Sequence, residues 1–255
     1  MSAAAQVLAL LGVGVLAGIV STVASLASVV SYPALLALGL PPVSANVTNT
    51  VALMFTAVGA AAGSRPELAG QGRRVRSLGL LTAAGGGAGA ALLLLTPARG
   101  FEYAAPVLIA VGSLAILRRP IALEPDAANA SGASADGGWL SRAGVFAVAV
   151  YIGYFGAAGG ILMLALLTRI FAQSLARTNA LKNVISGLAN AVAGIGFAIF
   201  GPVRWTAALP LAAGFLIGGW IGPALVRRLP AQGLRVFVGI CGLAVAIRLG
   251  FGTYG

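Results

Sequence analysis

The chain has 255 residues, of which 59% are hydrophobic and 8% charged, and its mean hydropathy is +1.00; a soluble domain would carry about 25% charged residues. That excludes a water-soluble enzyme or scaffold. Its net charge of +11 does not indicate nucleic acid, because the arginines sit almost wholly in short connections between apolar runs, as positive loops do in membrane proteins. Several runs reach the roughly 20 apolar residues a membrane helix needs, and strand-like alternation is missing. The expected class is therefore all-α and integral to a membrane.

In chain order, residues 7–40 are apolar but too long for one span, and Ser21, Ser25, Ser28, Ser31 and Pro33 interrupt them. They read as two short helices around a break. After a turn at Leu40-Pro41-Pro42-Val43, Ser44 is the expected N-cap of a helix to about Ala62 that carries Asn46, Thr48, Asn49, Thr50 and Thr56. A basic connection from Arg65 to Arg76 leads to a glycine-rich span, Leu78 to Leu95, and Tyr103 to Leu117 completes the first repeat, 1–119. Residues 120–141 hold three acids among small residues and read as a hydrophilic linker. The second repeat, 142–255, begins with another broken run, Ala143 to Leu167, interrupted by Gly153, Gly156, Gly159 and Gly160. Ser174 then caps a helix ended by Gly201-Pro202, and spans at Ala207 to Val226 and Val236 to Leu249 follow.

The halves match by offset. Ser44, Thr48, Asn49 and Thr56 return 130 residues later as Ser174, Thr178, Asn179 and Ser186, while Gly85, Gly86, Gly89 and Pro97 return after 133 as Gly218, Gly219, Gly222 and Pro230. This is an internal duplication, a common plan of secondary transporters. Basic residues cluster at 65–76 in the first half but at Arg169, Arg177, Arg227, Arg228 and Arg235 in the second, which swaps the bias. With positive loops inside, the repeats are inverted, with five helical segments each, ten in all, and both termini outside.

Residues 174–190 place the chain's only lysine in an apolar run. In a helix Asn179, Asn183, Ser186 and Asn190 share one stripe, with Lys182 on its flank. Lys182 would lie eight residues, roughly 12 Å, from the helix start, still within reach of the interface by snorkelling. Ionisable side chains at membrane depth usually line a water-filled path or face a partner. The breaks at Ser25 to Ser28 and Gly156 to Gly160 free backbone N–H groups at helix N-termini, which suit an oxyanion. The candidate binding residues are therefore Ser25, Ser28, Thr48, Asn49, Gly156, Gly159, Gly160, Thr178, Asn179, Lys182 and Asn183. Plainer roles stand beside these: Ser44 and Ser174 as caps, Thr48 and Thr178 bonded back to their own helices, asparagines as interhelical glue, and the other glycines as packing surfaces. The five acids, Glu67, Glu102, Glu124, Asp126 and Asp136, all read as connection residues, and the chain has no histidine. No enzyme chemistry, metal or cofactor is expected.

Ser25-Leu-Ala-Ser28 with Pro33, Ala45-Asn-Val-Thr48-Asn49, Gly156-Ala-Ala-Gly159-Gly160 and Arg177-Thr178-Asn179 together resemble the TauE/SafE sulfite exporter family, over nearly the whole chain except the linker. The resemblance implies transport of a small sulfur oxyanion or organosulfonate, such as sulfite, thiosulfate or sulfoacetate, across a bacterial inner membrane. An anion channel or a non-transporting scaffold subunit is the alternative. Contacts with membrane lipid and none with nucleic acid are expected, and a homodimer is left open.

Overall fold

In a computed structural model of the chain, the described residues are 2–24, 27–118, 138–156 and 159–226, with single helical positions at 240, 243, 244, 247 and 251. Ser25, most of the linker, Cys241 and nearly all of the last expected span lie outside them. Ten helices are described: α1 (Ala3–Ala24), α2 (Ala27–Ala37), α3 (Pro42–Gly63), α4 (Arg65–Leu68), α5 (Gly72–Leu95), α6 (Ala98–Arg118), α7 (Trp139–Tyr154), α8 (Gly159–Ile170), α9 (Leu175–Phe200) and α10 (Trp205–Val226). No described residue is in a strand. Five of these helices, α1, α3, α5, α9 and α10, are long and apolar enough to cross a membrane. The protein is an all-α, multi-pass membrane protein.

Helix starts and ends follow local chemistry, with four departures from the sequence reading. The first apolar run is not two short helices: α1 has 22 residues, because the alanines before Val7 join it and the Ser2 hydroxyl accepts the Ala5 N–H at 3.3 Å. Only α2 is short, 11 residues or roughly 17 Å. Ser44 is not the cap of α3. Pro41 and Pro42 begin that helix without a side-chain cap, since proline fits the first helical position, and the Ser44 hydroxyl donates to the Pro202 carbonyl at 2.7 Å instead. The connection 65–76 is largely helical, holding α4 and the first turn of α5. Glu102, expected in a connection, belongs to α6. Ser174 does cap α9, accepting the Arg177 N–H, and Gly201 ends that helix.

The two halves interlock. Helix α10, from the second half, packs on α1 and α3 of the first, and α5 of the first packs on α7 and α9 of the second. Lipid supplies no hydrophobic drive between helices, so close backbone approach through small residues holds them together. Glycines of α5 and α10 make that approach in the same way. A Cβ on Gly218 or Gly222 would run into Val15 or Thr22 of α1, while one on Gly219 would come 2.5 Å from the Thr56 carbonyl oxygen of α3. In the other half a Cβ on Gly85 or Gly89 would strike Ala149 or Val150 of α7, and one on Gly86 the Ala189 carbonyl of α9.

Helices α3 and α9 cross at the centre and run antiparallel. The start of α3 meets the loop after α9, where Ser44 bonds Pro202 and the Thr48 hydroxyl accepts the Arg204 N–H at 3.0 Å. The start of α9 meets the loop before α5: Arg177 donates to the Ala69 carbonyl at 2.8 Å, and the Gln71 amide donates to the Arg177 carbonyl at 3.1 Å. Arg74 also donates to Gln173 at 2.8 Å and lies 4.4 Å from the centre of the Phe171 ring. The basic connections 65–76 and 169–177 therefore share one face of the molecule. Helices α3 and α9 touch at Ala57 and Gly187, where a second Cβ would collide; these two positions are 130 apart, the offset that relates the two halves in sequence.

Candidate functional site

Beside that crossing lies a cavity of about 50 Å³, several times the volume one water needs. Three elements of the first half and three of the second build it. Ser21 of α1 and Ala27 and Ser28 at the start of α2 reach it, as do Leu53, Thr56, Ala57 and Ala60 of α3. From the other half come Ile152 of α7, Gly156, Gly160 of α8, and Lys182, Asn183, Ser186, Gly187 and Asn190 of α9. Ala27, the first residue of α2, and Gly160, the second of α8, both line it. Two helix N-termini thus bring their partial positive charge to one space.

Gly156 ends α7 with φ +72°, a conformation open to glycine at little cost, and its N–H bonds the Tyr151 carbonyl at 3.0 Å. A Cβ there would stand 2.9 Å from the Ile152 carbonyl oxygen, so the backbone at the cavity wall depends on this glycine. The polar side chains around the cavity are hydroxyls, amides and one amine, with no acid among them. Lys182 is 2% exposed, held inside because α3, α5, α7 and α8 all pack around α9. The Thr56 and Ser186 hydroxyls and the Asn183 amide nitrogen are buried without a hydrogen-bond partner in the protein. Buried polar atoms are usually paired, and an orphan costs about 1–3 kcal/mol. Three of them stand around one cavity.

The predicted residues divide into two groups. Ser28, Gly156, Gly160, Lys182 and Asn183 line the cavity. Thr48, Asn49, Gly159, Thr178 and Asn179 do not. The Thr178 hydroxyl bonds back to the Ser174 carbonyl at 3.2 Å, and Thr48 is taken by the loop after α9. Asn179 donates to the Thr22 carbonyl at 2.9 Å, tying α9 to α1. Gly159 is packed against the Ile152 side chain, where a Cβ would come within 2.5 Å. Asn49 stands one layer behind the wall: its amide nitrogen donates to the Ser28 hydroxyl oxygen at 3.1 Å and its oxygen accepts from Ser31 at 2.5 Å. Ser28, on the wall, thereby accepts a hydrogen bond from behind.

Ser21, Thr56, Ser186 and Asn190 line the cavity but were not among the candidates. Ser186 and Asn190 belong to the stripe that includes Asn183, and Thr56 is the repeat partner of Ser186, so the signal for these three was present in spacing. For Ser21 there was only its place near the break.

The family model described as sulfite exporter TauE/SafE matches residues 10–249. The chain belongs to the TauE/SafE family. The match covers both halves, the broken segments, four of the five described spans in full and the first from residue 10 on. Neither the curated proteins nor the solved structures contain a match. Membership makes the protein a member of a membrane transporter family whose model carries the name of a sulfur anion, and the cavity of this TauE/SafE chain has the matching sign: one cation, hydroxyl and amide donors, two helix N-termini and no carboxylate. Among the described residues no group of histidine, cysteine, aspartate and glutamate could hold a metal ion.

Proposed function

We propose that this protein carries a small sulfur-containing anion, such as sulfite, thiosulfate or an organosulfonate like sulfoacetate, across a bacterial inner membrane, using the cavity between the two helix breaks as its binding site. The observation that carries the reading is the donor-rich, carboxylate-free lining at the crossing of α3 and α9, in a chain of the TauE/SafE family. Lys182 supplies the attracting charge. The N-termini of α2 and α8 supply backbone donors, and Ser28 and Asn183 supply side-chain donors, each roughly twice as strong toward an ionised acceptor as toward a neutral one.

The antiparallel α3 and α9 put equivalent surfaces of the two repeats on either side of the site, the arrangement in which rocking of one repeat against the other exposes a central site to each face in turn. Basic connections on one face orient that face to the cytoplasm. With no carboxylate on the cavity wall, transport runs on the anion gradient and the membrane potential and needs no sodium. Reconstituted vesicles test this directly: labelled sulfite or thiosulfate should enter faster than into protein-free vesicles, at equal rates in sodium and potassium media. Flux no faster than in protein-free vesicles for every sulfur anion sinks the proposal, and a sodium-dependent flux sinks its energetic part.

A further inference from the structure

Resting on the transport reading above, we infer that Thr56 and Ser186 form a matched hydroxyl pair, one from each repeat, that grips two separate oxygens of the anion and selects an oxyanion over a halide.

Three observations carry this. First, the two residues are equivalents, 130 positions apart, each one residue before Ala57 and Gly187, which meet at the crossing of α3 and α9. Second, both hydroxyls are buried, line the cavity and have no hydrogen-bond partner in the protein. Third, the orphaning is specific. Thr22, Thr50, Thr82 and Thr178 each donate to a carbonyl three or four residues earlier on their own helix, the default for a buried helical threonine. Thr56 forgoes that bond, although α3 offers it.

A hydroxyl left unbonded in a membrane interior lowers the stability of the empty protein, so a purely structural role gives it no reason to be there. Facing helices present their hydroxyls from different directions, and an anion with several oxygens gives each hydroxyl an acceptor of its own. Sulfite, thiosulfate and sulfonates have several such oxygens; chloride is a single centre. Because each repeat supplies one member of the pair, each keeps one of the two bonds when the repeats shift.

The test uses the purified full-length protein in detergent, with Thr56→Val, Ser186→Ala and the double variant, titrated calorimetrically with sodium sulfite, sodium thiosulfate and sodium chloride. Valine keeps the threonine shape and alanine leaves serine's small volume nearly filled. Each single variant should bind sulfite about 10-fold more weakly, the loss of one hydrogen bond to a charged acceptor, and the double variant more weakly than either. The melting temperature of the empty variants should stay level or rise, which a structural hydroxyl would not allow. A double variant that binds sulfite within twofold of wild type, or empty variants that melt several degrees lower, overturns the pair alone. Chloride binding as tight as sulfite binding in the wild type overturns the selectivity. A wild-type protein that binds neither sulfite nor thiosulfate overturns the transport reading and the pair together.

Discussion

Lys182 is buried in α9 and is the one basic side chain on the cavity wall, and the transport reading gives it the attracting charge. Lys182→Met keeps much of the length and removes the charge, so sulfite affinity should fall by about 30-fold or more, the scale of losing one partner of a buried charge pair; equal affinities by calorimetry would remove Lys182 from the site. Asn49 acts through another residue. Its amide donates to Ser28, and Asn49→Asp would place an acceptor there, turn the Ser28 proton away from the cavity and add a negative charge behind the wall. Anion affinity should drop by at least tenfold, whereas Asn49→Ser, which can still donate, should recover part of it. If Asp and Ser variants bind alike, Asn49 only packs. The stripe on α9 was legible because helical spacing is rigid: Lys182 and Asn183 reach the cavity as their positions required. Asn49, Thr48, Thr178 and Asn179 look the same in sequence as cavity residues, since a buried amide or hydroxyl can face a ligand or a neighbouring backbone. Only the positions of the partners, Ser31, Arg204, Ser174 and Thr22, separate the two.

At the scale of elements, the crossing of α3 and α9 accepts one Cβ and no more. Gly187→Ala would set a methyl against that of Ala57, and overpacking of this kind costs about 1–3 kcal/mol. The variant should melt lower and bind anion more weakly, because Thr56 and Ser186 ride on the same crossing. Ala57→Gly in the Gly187→Ala background should restore both, since one Cβ is again present. A double variant no better than the single one would show that the crossing does not hold the cavity open. Pattern reading located these elements well where glycines or polar stripes repeat, as in α5, α9 and α10. It misplaced boundaries where the chain continues a helix through residues that read as connection: Ala3 to Gln6, and Arg73, Arg74 and Arg76 at the head of α5. Arginines are good helix formers, and one of these, Arg74, is held by Gln173 and Phe171, so charge alone did not make a loop.

Across the whole molecule, offsets in the sequence point to a duplication, but the packing of α5 and α10 on the opposite halves could not be read from them, because a Gly-Gly-x-x-Gly surface fits either neighbour until both are folded. Through these contacts neither half packs as a free-standing body. The packing also fixes topology. Arg177 bonds the carbonyl of Ala69, and Thr48 receives the N–H of Arg204, so the connections at 65–76 and 169–177 share a face while residue 204 lies at the far ends of α3 and α9. With Cys241 replaced by serine, a cysteine at Gly72, where a side chain meets nothing within 4 Å, should react with a membrane-impermeant thiol reagent only after the cytoplasmic side is opened. A cysteine at the exposed Arg204 should react in intact cells. Arg169→Cys should follow Gly72→Cys, although 97 residues and a linker separate them in sequence. Reaction of positions 72 and 169 from opposite sides would contradict the shared face seen in the packing, and reaction of 72 and 204 from the same side would mean that α3 and α9 do not cross the membrane in opposite directions, which removes the basis for exposing one central site to two faces in turn.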